Sequence, residues 1–185
     1  MPSLPPFLPA TDTLPPGRFP LSWEEVEKEL VWNRRFAAST TRWEIFMEWT
    51  LHRAAVEAVL GSVSRMWLAG SFVSGKIDPS DVDVTYLIAH DVYDAHAADS
   101  DLAEYLDNLG TRDWCVGQHM RVDARILRLP ETVRFQDLGV TGAMAPGDRD
   151  VFYQLGLFDE IWQRCRPTMG DTRTDNRRGY VEVLL

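Results

Sequence analysis

Hydrophobic positions first recur at helical spacing after residue 22. Ser22 followed by Glu25 has the spacing of a capping box, which predicts a short helix through Val26, Leu30 and Val31. Thr41 with Glu44 repeats that signal ahead of a longer pattern. There Trp43, Met47, Leu51, Ala54 and Ala58, with Phe46, Ala55 and Val59, recur every three or four residues up to Gly61, where a left-handed cap can end the helix. Within it His52, Trp43 and Trp49 read as packing residues.

The period then changes to two. Met66-Trp67-Leu68-Ala69 is a short apolar run that stops at Gly70-Ser71, as a buried strand opening into a turn would. Turn formers fill residues 72 to 80, and Asp81-Val82-Asp83-Val84-Thr85-Tyr86-Leu87-Ile88 follows. Alternation puts Val82, Val84, Tyr86 and Ile88 on one face and Asp81 with Asp83 on the other. Leu102, Ala103, Tyr105, Leu106 and Leu109 predict a helix over 100–109 ending before Gly110, extended toward Asp91 by the preceding stretch. Met120 to Ile126 alternates again, with Asp123 on the face of Arg121 and Arg125. A loop over 139–147, a helix over about 149–164 and a strand over 180–184 complete the chain.

These elements predict an α/β (α+β) fold: a small mixed, mostly antiparallel sheet with the aspartates on one face and helices packed on the other. Pro2, Pro5, Pro6, Pro9, Pro15, Pro16 and Pro20 remove backbone donors near the N-terminus. Residues 1–21 are therefore expected to form a proline-rich arm outside the core, and 22–185 a single domain.

Composition narrows the function classes. The 185 residues are 45% hydrophobic, enough for a sizeable core. The absence of a long uncharged apolar run or a secretory signal predicts a cytoplasmic protein without a membrane span. Cys115 and Cys165 belong to no Cys-x-x-Cys pair, which argues for reduced thiols. A net charge of -9 argues against tight nonspecific nucleic-acid binding. His52, His90, His96 and His119 show no metal-ligand spacing, and neither a Gly-x-Ser-x-Gly elbow nor a full Gly-rich phosphate loop is present.

Chemistry concentrates on the carboxylates. Asp81 and Asp83 share one strand face, where like charges resist joint ionisation unless a cation sits between them. Hard oxygen ligands without His or Cys favour Mg2+ or Mn2+, which in such sites are completed by phosphate oxygens. A nucleoside triphosphate is the natural bridging ligand. Gly70 lets a phosphate approach the backbone, Ser71 offers a hydroxyl, and Asp123, set between Val122 and Ala124, supplies a third carboxylate.

Ala69-Gly70-Ser71, the spacer Phe72 through Ser80, Asp81-Val82-Asp83 and the later Asp123 together resemble the DNA polymerase beta-like nucleotidyltransferase superfamily. Over residues 43–128 the chain looks particularly like the minimal bacterial members found in toxin-antitoxin pairs. It departs from them in carrying Ser74 before Gly75 and Lys76 after it, where they often place a basic residue before the glycine. The resemblance implies that Asp81, Asp83 and Asp123 hold two divalent ions, that Asp123 is the base, and that Gly70, Ser71 and Lys76 contact the triphosphate. Arg121 and Arg125 would either assist at the pyrophosphate or form a surface charge ladder with Asp123. The implied activity is transfer of a nucleoside monophosphate from an NTP to a hydroxyl of a protein, small molecule or RNA. The alternative is an antitoxin-like or regulatory interaction protein on the same fold, with a toxin or antitoxin as its protein partner.

Overall fold

A computed structural model describes residues 4–63, 65–129, 146–165 and 177–185. The chain runs β1 (Gly17–Ser22), α1 (Trp23–Leu30), a 3-10 turn (Arg34–Phe36), α2 (Arg42–Leu60), β2 (Arg65–Ala69) and β3 (Val82–Ile88). It continues through α3 (His90–Ala97), α4 (Ser100–Leu109), α5 (Arg112–Gly117), β4 (Val122–Arg128), α6 (Pro146–Gln163) and β5 (Gly179–Leu184). The strands form one mixed sheet of order β1-β5-β2-β3-β4. Its two central pairings, β5 with β2 and β2 with β3, are antiparallel, while β1 and β4 join the edges in parallel. The expected α+β class with a mixed sheet is present.

Alternation sorts each strand as its sequence predicts. Val82, Val84, Tyr86 and Ile88 of β3 and Val122 and Ala124 of β4 join a core with Ile45, Phe46, Trp49 and Val56 of α2 and Leu106 and Leu109 of α4. The opposite face is covered by one helix. Leu155, Phe158 and Trp162 of α6 pack with Trp67, Ala69, Leu87, Leu127 and Tyr180, and Trp162 Nε1 donates to the buried Thr85 hydroxyl at 2.9 Å. Helices thus lie on both faces, and α6 shares the aspartate face. The expected 139–147 loop lies outside the described residues as far as position 145.

The proline-rich segment differs from an arm. Gly17 to Ser22 pairs with Gly179 to Leu184 along its length, and Leu14 and Leu21 are buried. Proline is tolerated because β1 is an edge strand, where missing donors on the open side cost nothing.

The Ser22 capping box forms as predicted: Glu25 N–H donates to the Ser22 hydroxyl at 3.2 Å, and Ser22 N–H to the Glu25 carboxylate at 2.9 Å. At α2 the expected cap and face both change. The Thr41 side chain donates to the Pro79 carbonyl instead of capping. The first helical amide, that of Arg42, donates to the Ser39 hydroxyl at 3.2 Å, and the Asp78 carboxylate ties down the approach, accepting from the N–H groups of Thr40 at 2.7 Å and Thr41 at 3.3 Å. Trp43, Met47 and Leu51 face outward, whereas Arg42, Ile45, Phe46, Trp49, His52, Val56 and Leu60 are buried. Two residues polar by type, Arg42 and His52, carry the inner face. Among the described residues no helix is long and apolar enough to cross a membrane.

Candidate active site

The three aspartates meet at one end of the sheet. Asp83 and Asp123 are register partners on the parallel strands β3 and β4, so their backbones lie about 5 Å apart. Asp81 comes just before β3, on the same face by alternation. On the other side of β3, Asp83 pairs with Ala69, the last residue of β2.

The turn after β2 is shaped to Asp83. Gly70 has φ +71, a left-handed conformation that side chains disfavour. A Cβ there would fall inside the Asp83 carboxylate. The next residue, Ser71, holds a buried hydroxyl with no hydrogen-bond partner, an arrangement that native proteins rarely leave without a purpose. Its carbonyl accepts from the Ser74 amide at 3.2 Å and the Ser74 hydroxyl at 2.7 Å, so Ser74 closes the turn.

The spacer to Asp81 is tied down from α2. Arg42, 1% exposed, donates to the carbonyls of Leu30 (2.8 Å), Phe72 (2.8 Å), Ser74 (2.9 Å), Lys76 (2.7 Å) and Ile77 (3.2 Å). Its guanidinium lies 3.6 Å from the Phe36 ring centroid. Burial lowers its pKa to about 10, which still leaves it charged at neutral pH. The N-terminal segment adds a second tie: Gly75 N–H donates to the Asp12 carbonyl at 2.8 Å, and a Cβ on Gly75 would strike Arg35 and Asp12.

Two arginines touch the carboxylates. Arg125 Nη1 lies 2.8 Å from Asp123 Oδ1. Arg112 Nη1, from the start of α5, lies 2.9 Å from Asp81 Oδ2 and 3.4 Å from Asp123 Oδ2. The charge of Asp81 raises the pKa of Arg112, burial opposes it, and the charge of Asp123 adds to the rise. Helix α5 is held in place by Cys115, whose side chain is buried in the main core. Burial pushes that thiol up to about 11, so it stays protonated.

Of the site residues expected from sequence, Asp81, Asp83, Asp123, Gly70 and Ser71 converge, and Arg125 pairs with Asp123. Lys76 is exposed, and its backbone helps hold the spacer through Arg42. Arg121 turns away: its guanidinium binds Glu48 through Nε at 3.1 Å and Glu44 through Nη2 at 2.9 Å, because residue 121 precedes β4 and faces α2. Sequence reasoning missed Arg112, which no local pattern marks.

The donor set is hard and anionic, the Gly70 cradle lies against it, and the unpartnered Ser71 hydroxyl belongs to the same turn. These features suit a divalent cation with phosphate oxygens. As the side chains stand, no three His, Cys, Asp or Glu among the described residues are grouped to hold a metal ion, and Arg112 sits between two of the three carboxylates.

Fold and site together define an α+β protein with an acidic cluster at the rim of a mixed sheet, next to a glycine-serine turn. The chain belongs to DUF6932, a family of unknown function whose match spans residues 5–184. No curated protein and no solved structure matches it.

Proposed function

We propose that the protein is a Mg2+- or Mn2+-dependent nucleotidyltransferase that moves a nucleoside monophosphate from an NTP to a hydroxyl on a protein, small-molecule or RNA acceptor. The observation that carries this reading is the alignment of Asp83 with Asp123 across β3 and β4, with Gly70 against Asp83 and the unpartnered, buried Ser71 hydroxyl on the next residue of the turn. Asp81, Asp83 and Asp123 would hold the cations, which would neutralise charge on the triphosphate and the departing pyrophosphate. The acceptor oxygen forms a bond to the α-phosphorus, the bond from that phosphorus to the bridging oxygen breaks, and pyrophosphate leaves. The hydroxyl proton passes to Asp123, and Ser71 donates to a phosphate oxygen. A cytoplasmic location belongs to the same reading and is supported by the free cysteines.

The test is thermal stability with each of the four NTPs, with and without Mg2+ or Mn2+, for wild type, Asp81→Asn and Asp83→Asn. A ligand at a hundredfold excess over its Kd stabilises by about 2.7 kcal/mol. A metal-dependent rise in Tm in wild type, lost in both variants, is expected. No rise under any condition sinks the reading.

A second reading, a regulatory interaction protein that binds a toxin or antitoxin, has its own supporting observation. Trp43, Met47 and Leu51 form an exposed apolar stripe on α2, and Trp32, 59% exposed, packs against Trp43 with centroids 5.0 Å apart and the rings tilted by 36°. Surfaces of this kind mark protein contacts.

A further inference from the structure

The geometry points to Arg112 as an exchangeable counter-ion: it bridges Asp81 and Asp123 in the metal-free protein, then yields them to the divalent cation and turns to the triphosphate. This rests on the nucleotidyltransferase reading and adds to it a residue and a sequence of events.

Three observations carry it. The first is position. One guanidinium nitrogen, Nη1, is within 3.4 Å of carboxylate oxygens from both Asp81 and Asp123, the groups that the reading assigns to the cation. Two positive charges cannot share those oxygens without strong repulsion, so arginine and metal exclude one another.

The second is the weakness of the hold. Arg112 is half exposed, with 51% of its side chain accessible. Both contacts are made by Nη1 and not by the two-pronged fork that ties an arginine firmly to one carboxylate. Exposed pairs of this kind contribute little and reorganise readily. Arg121 shows the contrast, engaging Glu48 through both Nε and its backbone N–H.

The third is anchorage. The backbone of Arg112 begins α5, fixed by buried Cys115 and by the Met120 N–H to Cys115 carbonyl bond at 2.8 Å. A released side chain therefore stays at the rim of the site. There it would meet the triphosphate of that reading, and a guanidinium is well suited to phosphate oxygens.

The experiment measures Mn2+ binding by electron paramagnetic resonance for wild type, Arg112→Gln and Asp83→Asn. Inorganic triphosphate binding at saturating Mn2+ follows by calorimetry, and thermal melts check folding. Arg112→Lys, which keeps a charge at the position, serves as a second variant and should fall between wild type and Arg112→Gln. Arg112→Gln is expected to bind Mn2+ about tenfold tighter than wild type, and Mn2+-loaded Arg112→Gln to bind triphosphate about tenfold weaker, as two modest ion pairs would dictate. Unchanged Mn2+ affinity, or unchanged triphosphate affinity, overturns the exchange even where wild type binds Mn2+ and Asp83→Asn does not, an outcome that leaves the nucleotidyltransferase reading intact. Failure of wild type and Arg112→Gln alike to bind Mn2+ overturns both.

Discussion

The Asp83 carboxylate occupies the space over Gly70 that any other residue would fill with its Cβ. Two requirements coincide at Gly70: a left-handed φ of +71 and clearance for the side chain of a strand that pairs through the neighbouring Ala69. The turn and the acidic site are therefore one unit. A residue that disturbs the first displaces the second.

Gly70→Ala tests this coupling. Left-handed backbone costs a non-glycine residue about 1–2 kcal/mol, and the clash with Asp83 adds to it. The variant is expected to lose about 2 kcal/mol or more in urea denaturation and to lose metal-dependent triphosphate binding, because Asp83 must rotate away. Wild-type stability together with wild-type binding would refute the coupling.

Arg42 holds the spacer that delivers Asp81. Replacing it with Met removes donors from the carbonyls of Leu30, Phe72, Ser74, Lys76 and Ile77 in a buried setting, where unsatisfied polar groups are costly. Arg42→Met is expected to lose about 3 kcal/mol or more by chemical denaturation, and Arg42→Lys, which keeps the charge but has fewer donors, to lose less. A Met variant as stable as wild type would mean that the spacer is held by other contacts.

How far the sequence reveals this arrangement depends on the distance over which each cause acts. Asp81, Asp83 and Asp123 are legible because strand alternation is local, and Gly70-Ser71 because a turn must follow a buried run. Arg112 is not, since it reaches Asp81 only through the packing of α5, a helix of six residues and too short to show a period. The face of α2 is misread for a related reason. Arg42 looks like a solvent residue until the carbonyls that satisfy it are brought in from other elements, whereas His52, read as a packing residue, is buried as expected and bonded to Tyr86. The segment leading into α2 is also held from afar, by Asp78 accepting from Thr40 N–H 38 residues away. Edge-strand pairing likewise hides behind the prolines of the N-terminal segment.

Deleting residues 1–22 should remove more than an appendage. The sheet would lose β1, expose the edge of β5 and leave vacant the space filled by Leu14 and Leu21. Arg18, which packs 4.8 Å from the Trp67 ring centroid and pairs with Asp159, would go as well. Loss of a cooperative thermal transition is expected by circular dichroism. A truncated chain that melts with the wild-type Tm would return the segment to the status of an arm.

His52 gives the core a pH dependence with a defined sign. Its Nε2 lies 2.9 Å from the Leu109 carbonyl, which can only accept, so Nε2 carries the proton and Nδ1 accepts from the Tyr86 hydroxyl at 2.8 Å. Tyr86 and Cys115, the titratable groups nearby in this core, both stay protonated at neutral pH because burial raises their pKa values. Burial lowers the pKa of His52 below its ordinary 6.5, outweighing the hydrogen bond to Leu109. The unfolded chain thus takes up a proton at His52 before the folded chain does. Stability from this group is complete above pH 6.5 and falls as pH drops through the lowered folded value, by at most about 1.4 kcal/mol per pH unit. His52→Gln should be less stable than wild type at pH 7.5, and its stability should decline less between pH 7.5 and 5 in urea titrations. Equal declines in the two proteins would assign the acid sensitivity to other groups.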